Sequence, residues 1–257
     1  MKHIALRSKS VRAGDRPYTC PGLGDRIHSV YLAYQYGKAH NTPVTLHLTD
    51  DKWSIAGGKP SDKKKKSWAE IIDLFPKGSV AVQPWPVENL PEEKWLGYLK
   101  EQGVDAEIYY YKDTIKMHPN ETVVPLEMSQ YLKKPILLDE PDADVSLPSG
   151  KFITVQWDTT DPGRQISPLL INGIENKWMS WGFKIVDLGN NPGRPLAEVG
   201  KLMYNASAHL GVDSGFLHMA MLYQEFADIH LYSKGSGAFI SHHVLRARSN
   251  GCSYTLV

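Results

Sequence analysis

Apolar residues recur along this chain in two alternating patterns: short runs of strand length, and longer stretches with helical spacing. In the first half, His3–Arg7 suits a short strand and Arg12–Pro21 a polar loop. Ile27, Val30, Tyr31 and Tyr34 then fall at i, i+3, i+4 and i+7, which predicts a helix over Asp25–Lys38. Val44–Leu48 reads as a strand, Trp68–Leu74 as a helix and Val80–Gln83 as a strand. Glu92–Gln102 reads as a helix, with Pro91 favouring its start and Gly103 just past its end. Ile108–Tyr111 and Thr122–Val124 are further strands.

The pattern breaks between Pro135 and Gly150. Apolar Ile136-Leu137-Leu138 gives way to the acidic Asp139–Asp144 stretch and then to Pro148-Ser149-Gly150. This predicts a domain over 1–145 and another over 150–257. In the second half, Phe152–Gln156, Lys184–Leu188, the run ending at Val212 and Ile229–Tyr232 read as strands. Helices are expected over Pro168–Trp181, stopped by Gly182, and over Leu196–Ser207, with Leu196, Val199, Met203 and Ala206 on one face. Another follows the Asp213-Ser214-Gly215 turn. Strand and helix alternate as in half of a Rossmann fold, so the fold class is α/β with largely parallel sheets.

Composition narrows the function classes. A chain of 257 residues suits one large domain or two small ones. A net charge of +1 gives no general affinity for nucleic acid or anionic membrane. The run Lys63–Lys66 is the exception; it reads as a solvated loop, with docking to a phosphate-rich surface, and so peripheral membrane contact, left open. Cys20 and Cys252 lie far apart without metal-ligand spacing, which points to a reducing compartment and no disulfide scaffold. Arg7, Lys9, Arg12 and Asp15 interrupt any secretory h-region, and no apolar run is long enough to span a bilayer, so a cytoplasmic location is expected.

Three segments carry candidate chemistry. In Ala208–Ala220 a buried strand turns through Asp213-Ser214-Gly215 straight into a helix. Such a turn aims free backbone N–H groups at one point and suits a phosphate. Asp213 or Ser214 can cap the helix, and Gly215 lets a ligand approach the backbone. An ordinary capped turn would have the same sequence. In the second segment, Gly22 and Gly24 mark a tight loop and Asp25 falls in the first helical turn. Asp25 is either a plain N-terminal helix acid or a general base at the mouth of a cleft. Ile27 breaks the G-x-G-x-x-G pattern, and the Lys-Ser/Thr pair of a P-loop is missing. The third is the loop Trp157–Arg164, at the carboxyl end of its strand, where ligands bind in a parallel sheet. Arg164 there suits a diphosphate, because its planar fork donates two hydrogen bonds at once.

Gly24-Asp25-Arg26-Ile27-His28-Ser29, Thr159-Thr160-x-x-x-Arg164 and Asp213-Ser214-Gly215-x-x-His218-x-Ala220 together resemble, in the same order, the signature stretches of the ADP-heptose:lipopolysaccharide heptosyltransferases. The resemblance implies the GT-B architecture: two Rossmann-like domains with parallel sheets facing across a cleft, the N-terminal domain being reduced here. It implies that Asp25 takes the proton from an acceptor hydroxyl. Thr159, Thr160 and Arg164 would hold the donor phosphates, and Asp213, Ser214 and Gly215 would cradle the diphosphate. His218, one turn into that helix, would support the turn or face the donor. Departures are Tyr31 in place of the family's proline, Arg164 in place of its lysine and Ser214 in place of its threonine.

The implied partners are a nucleotide-sugar donor and a glycan or other hydroxyl acceptor. The implied reaction is inverting transfer with no cofactor and no metal. Alternatives stay open: a sugar-nucleotide hydrolase or epimerase on the same frame, or a non-catalytic sugar-nucleotide- or glycan-binding module. A metal-dependent transferase would use Asp142-x-Asp144 for a divalent cation. A serine hydrolase built on Ser214 is disfavoured, because Val212 stands where G-x-S-x-G needs its first glycine.

Overall fold

The computed structural model describes residues 2–7, 23–48, 68–84, 100–101, 103, 106–110, 136–159, 162–189, 193–233 and 253–256. They fall into two compact units that divide at Pro135.

The first unit is built on four parallel strands, β1 (Lys2–Arg7), β2 (Val44–Leu48), β3 (Val80–Pro84) and β4 (Ala106–Tyr110), in the order β3-β2-β1-β4. Val44, Thr45 and Leu46 are buried, as expected of an inner parallel strand covered on both faces. Helix α1 (Leu23–Ala39) packs with Ile27, Val30, Tyr31 and Tyr34 buried. The helix starts two residues before the expected Asp25. Gly24 therefore lies inside the first turn rather than in the loop, at a position whose N–H needs no intrahelical partner. Asn41, at φ 49, closes the helix in the left-handed conformation, and the Thr42 N–H bonds the Gly37 carbonyl at 3.0 Å. Helix α2 (Trp68–Ile72) is shorter than expected. Leu74 and Phe75 continue it only through i→i+3 bonds before Pro76 ends the run. Most of the helix expected over Glu92–Gln102, and all of the strand expected at Thr122–Val124, lie outside the described residues.

The second unit has five parallel strands, β5 (Phe152–Gln156), β6 (Lys184–Asp187), β7 (His209–Gly211), β8 (Ile229–Ser233) and β9 (Ser253–Leu256), in the order β6-β5-β7-β8-β9. Helices α3 (Pro168–Ser180), α4 (Leu196–Asn205) and α5 (Gly215–Ala220) connect them. All of β5 is buried. Ile153, Val155 and Leu210 form one core layer, against which Leu170, Ile171, Ile174 and Trp178 of α3 pack. Thr154 and Gln156 alternate with these and so face the other side of the sheet. Helix α4 stops at Asn205, short of the expected Ser207, because the chain there already pairs with β5: Ser207 N–H to Phe152 carbonyl at 2.9 Å, and Thr154 N–H to Ala208 carbonyl at 3.0 Å. Strand β9 is not among the strands expected from the sequence.

This strand order places the site. The chain leaves β5 for β6 on one side and later returns to β7 on the other. In an open parallel sheet, ligands bind outside the carboxyl ends at such a switch point.

The turn after α1 yields a stability prediction. A Cβ on Gly37 would lie 2.7 Å from the Thr42 carbonyl oxygen and 3.0 Å from Val44 Cγ2. Gly37→Ala is expected to cost about 1–3 kcal/mol by forcing backbone to shift. Urea denaturation compared with wild type, giving an equal or higher midpoint, would contradict the close packing.

Candidate functional site

The site begins with two loops that leave one edge of one sheet. Gln156 ends β5 opposite Gly211 of β7. A Cβ on Gly211 would meet the Gln156 carbonyl oxygen at 2.7 Å, so glycine is what lets these strand ends close up. Beyond Gln156, the Trp157 indole N–H donates to Glu175 Oε1 at 2.7 Å, which ties the start of the loop to α3. The loop then passes Thr159, half-buried, and makes a short 3-10 turn at Pro162–Arg164.

Arg164 reaches across to the other loop. Its Nη1 donates to the Asp213 carbonyl at 2.6 Å and lies 3.8 Å from Asp213 Oδ2. The guanidinium is one-third exposed, whereas the Asp213 side chain is largely buried. His218 Nε2 approaches the other oxygen, Oδ1, at 3.8 Å. Asp213 thus stands between a guanidinium and an imidazole. It aims the guanidinium, and it also neutralises part of the charge a ligand would meet.

Ser214 occupies the N-cap position of α5 with extended backbone, φ −145 and ψ 172, but its side chain caps nothing in the helix. The sequence allows Asp213 or Ser214 as the cap; Ser214 takes the position without the side-chain bond. Its hydroxyl instead donates to Gln156 Oε1 at 2.5 Å. Helix α5 has only six residues, so its aligned dipole is short. Any anion held there depends on nearby amides and on Arg164 more than on a long helix.

Of the expected site residues, Arg164, Asp213, Ser214 and His218 converge, and Gly215 opens α5 beside them. Asp25 lies in the first turn of α1. That helix follows β1 and returns to β2, so its N-terminus lies toward the carboxyl edge of its own sheet. Gly24 is the next residue back, and Gly22 and Thr160 lie outside the described residues. Gln156 is the site residue that sequence reasoning missed. Its signal was a polar residue closing an otherwise apolar strand. Asp142 and Asp144, weighed for a divalent cation, are both exposed. Among the described residues no group of three or more His, Cys, Asp or Glu is placed to hold a metal ion. Among the described residues no helix is long and apolar enough to cross a membrane.

Beneath the site, His209 is fully buried, with Nδ1 3.0 Å from Thr154 Oγ1. The Thr154 hydroxyl also reaches the Ala208 carbonyl at 3.4 Å. A hydroxyl has one proton. If it goes to that carbonyl, the imidazole proton sits on Nδ1, and Nε2 is left as a bare acceptor. Among the described residues Nε2 has no hydrogen-bond partner, and a bare lone pair costs less there than an orphaned charge. Burial, with a smaller contribution from His230, lowers the His209 pKa from 6.5 to about 3.

No family model and no curated protein matches the sequence. Solved structures do match in fold. The iron-containing dodecameric glycosyltransferase TibC from enterotoxigenic E. coli H10407 aligns over 90% of this chain and 58% of its own, at 12% identity and TM-score 0.52. TibC heptosyltransferase in complex with ADP-D-beta-D-heptose aligns over 90% and 57%, at 12% identity and TM-score 0.50. E. coli heptosyltransferase WaaC with ADP aligns over 100% and 92%, at 10% identity and TM-score 0.51. The chain spans little more than half the length of the TibC chains. The likeness shows the fold: this chain is a GT-B-type α/β protein with two parallel-sheet units, similar to these heptosyltransferases.

The buried histidine sets a pH dependence. Folded His209 stays neutral down to about pH 3, whereas the unfolded chain binds a proton near 6.5. Its stabilisation is therefore complete above about pH 6.5 and is lost as the pH falls toward 3. Denaturant midpoints at about pH 7.5 and 5 should show a drop in wild type that shrinks in His209→Asn. Equal drops in the two proteins would contradict the assignment.

Proposed function

We propose that this chain is a glycosyltransferase that moves a sugar from a nucleoside-diphosphate sugar to an acceptor hydroxyl. The observation that carries the reading is the meeting of Arg164, Asp213 and Ser214 at the β5/β7 switch point of a heptosyltransferase-like fold. The similar TibC and WaaC structures are complexes with ADP-D-beta-D-heptose and with ADP, so an adenosine diphosphate sugar is the first donor to test.

In this reading the acceptor oxygen forms a bond to the sugar C1 as its proton passes to the Asp25 carboxylate. The bond from C1 to the diphosphate breaks, and its electron pair leaves with the nucleoside diphosphate. Direct displacement inverts C1. Arg164 and the backbone amides of the Ser214–Gly215 turn neutralise the charge that builds on the leaving diphosphate. Thr159 and Thr160 lie on the same loop as Arg164 and join it on the phosphates. His218 supports the turn through Asp213. A guanidinium and amides carry the charge here, so transfer should not require an added divalent cation. Cys20 and Cys252, far apart in the sequence and without metal-ligand spacing, fit a reducing, cytoplasmic setting.

A second reading is a sugar-nucleotide-binding module without turnover, in which Arg164 and the Ser214–Gly215 turn hold the ligand and Asp25 takes no proton. Both readings expect ligand binding, and only the first expects transfer.

A thermal-shift panel of ADP, GDP, UDP, ADP-heptose, GDP-mannose and UDP-glucose should show one nucleotide raising the melting temperature. No shift with any of them would end both readings. Arg164→Ala should weaken the selected diphosphate by about ten- to a hundredfold, the worth of a charge-assisted hydrogen bond. Asp25→Asn should cut transfer by about 100- to 10,000-fold while the diphosphate still binds. Transfer at the wild-type rate by the Asn variant would remove Asp25 as the base.

A further inference from the structure

The surrounding atoms set the hydrogen-bond polarity of the Gln156 side chain. Its Nε2 donates to the Asp158 backbone carbonyl. A carbonyl can only accept, so the amide NH2 must face Asp158 and Oε1 must face Ser214. Oε1 can only accept as well, so the Ser214 hydroxyl must spend its single proton there, at 2.5 Å. The side chain cannot flip its amide to reverse this, because Oε1 would then face the Asp158 carbonyl oxygen. Gln156 is buried at 6% exposure, which leaves no water to take over either bond cheaply. Ser214, unlike Gln156, is only half-buried.

A phosphate oxygen needs donors. A serine whose proton is already committed offers only lone pairs, and lone pairs suit a hydroxyl. We propose that Gln156 is a positioning residue that makes Ser214 Oγ an acceptor for a hydroxyl of the donor sugar, and leaves the diphosphate to Arg164 and backbone amides. The residue pair then reads the glycosyl part of the donor rather than its phosphates. This rests on the sugar-nucleotide reading above and refines which part of the donor each group meets.

The test compares a bare nucleoside diphosphate with its sugar, using the pair that wild type binds best among ADP/ADP-heptose, GDP/GDP-mannose and UDP/UDP-glucose. Calorimetric titration of Ser214→Ala should leave the diphosphate Kd within about twofold and raise the sugar-nucleotide Kd about three- to tenfold, the worth of a neutral hydrogen bond. Gln156→Leu preserves volume and frees the Ser214 proton. It should lower the ratio of the two affinities in the same direction, and the double variant should repeat Ser214→Ala rather than add to it. A role in folding alone would shift both ligands equally and would leave the two substitutions additive. A loss of more than about tenfold in diphosphate affinity on Ser214→Ala would mean that the hydroxyl donates to phosphate, and would overturn the proposal. Wild type that binds none of the six probes would instead overturn the sugar-nucleotide reading, and this inference with it.

Discussion

The pairing of β5 with β7 is the constraint from which the candidate site follows. Two strands distant in sequence lie side by side because the chain crosses the sheet in opposite directions before and after them. Their following loops must then emerge together at the carboxyl edge. Gly211 permits the close approach, since a side chain there would strike the Gln156 carbonyl. Two polar contacts of the site, Arg164 to Asp213 and Ser214 to Gln156, bridge the two segments. Separate the strands, and the guanidinium, the carboxylate and the hydroxyl have no reason to meet.

The electrostatics of that meeting point are more balanced than a simple anion hole. Arg164 is partly exposed and is already engaged by the Asp213 carbonyl and carboxylate. On the proposed reading, an arriving diphosphate would therefore share the guanidinium rather than capture a free cation. The sharing has a use. A flexible, solvated arginine would lose side-chain entropy on binding, whereas one already held by Asp213 has lost most of it on folding. The cost is a weaker net positive field, which on the proposed reading would ease release of the diphosphate.

Much of the fold was legible in the sequence because local and tertiary preferences agree there. The spacing of Ile27, Val30, Tyr31 and Tyr34 identified α1, and each of those side chains is buried. Strands β2 and β5 stood out because each is a strand-length run rich in apolar and β-branched residues. The misses have physical causes. Helices α2 and α4 end early because Pro76 and the pairing of Ser207 with β5 override their helical periodicity. Strand β9 is four residues long, and its Ser-Tyr-Thr-Leu run gains its meaning only from the ladder with β8. At the site, Arg164, Asp213, Ser214 and His218 were visible as residue types in a pattern. Gln156 was not, because its role lies in which atoms accept and which donate. That is a property of partners, and no spacing encodes it.

The side of the sheet away from α3 shows what the site demands of the core. Ile153, Val155 and Leu210 make an apolar layer, but Thr154, Gln156 and His209 put polar groups into a buried one. A buried polar group costs stability unless it is hydrogen-bonded, so each needs its partners. His209 keeps a buried nitrogen with no partner among the described residues and is forced neutral over the physiological range. Gln156 has a different character, since both ends of its amide are satisfied and both bonds run to the site loops. A buried polar group that is fully bonded specifies one arrangement of its neighbours, whereas an apolar one would tolerate several. The polar layer is therefore best understood as support for the loops above it, with Gln156 transmitting order to Ser214. Among the described residues His209 bonds only Thr154 and so passes no such order to the loops.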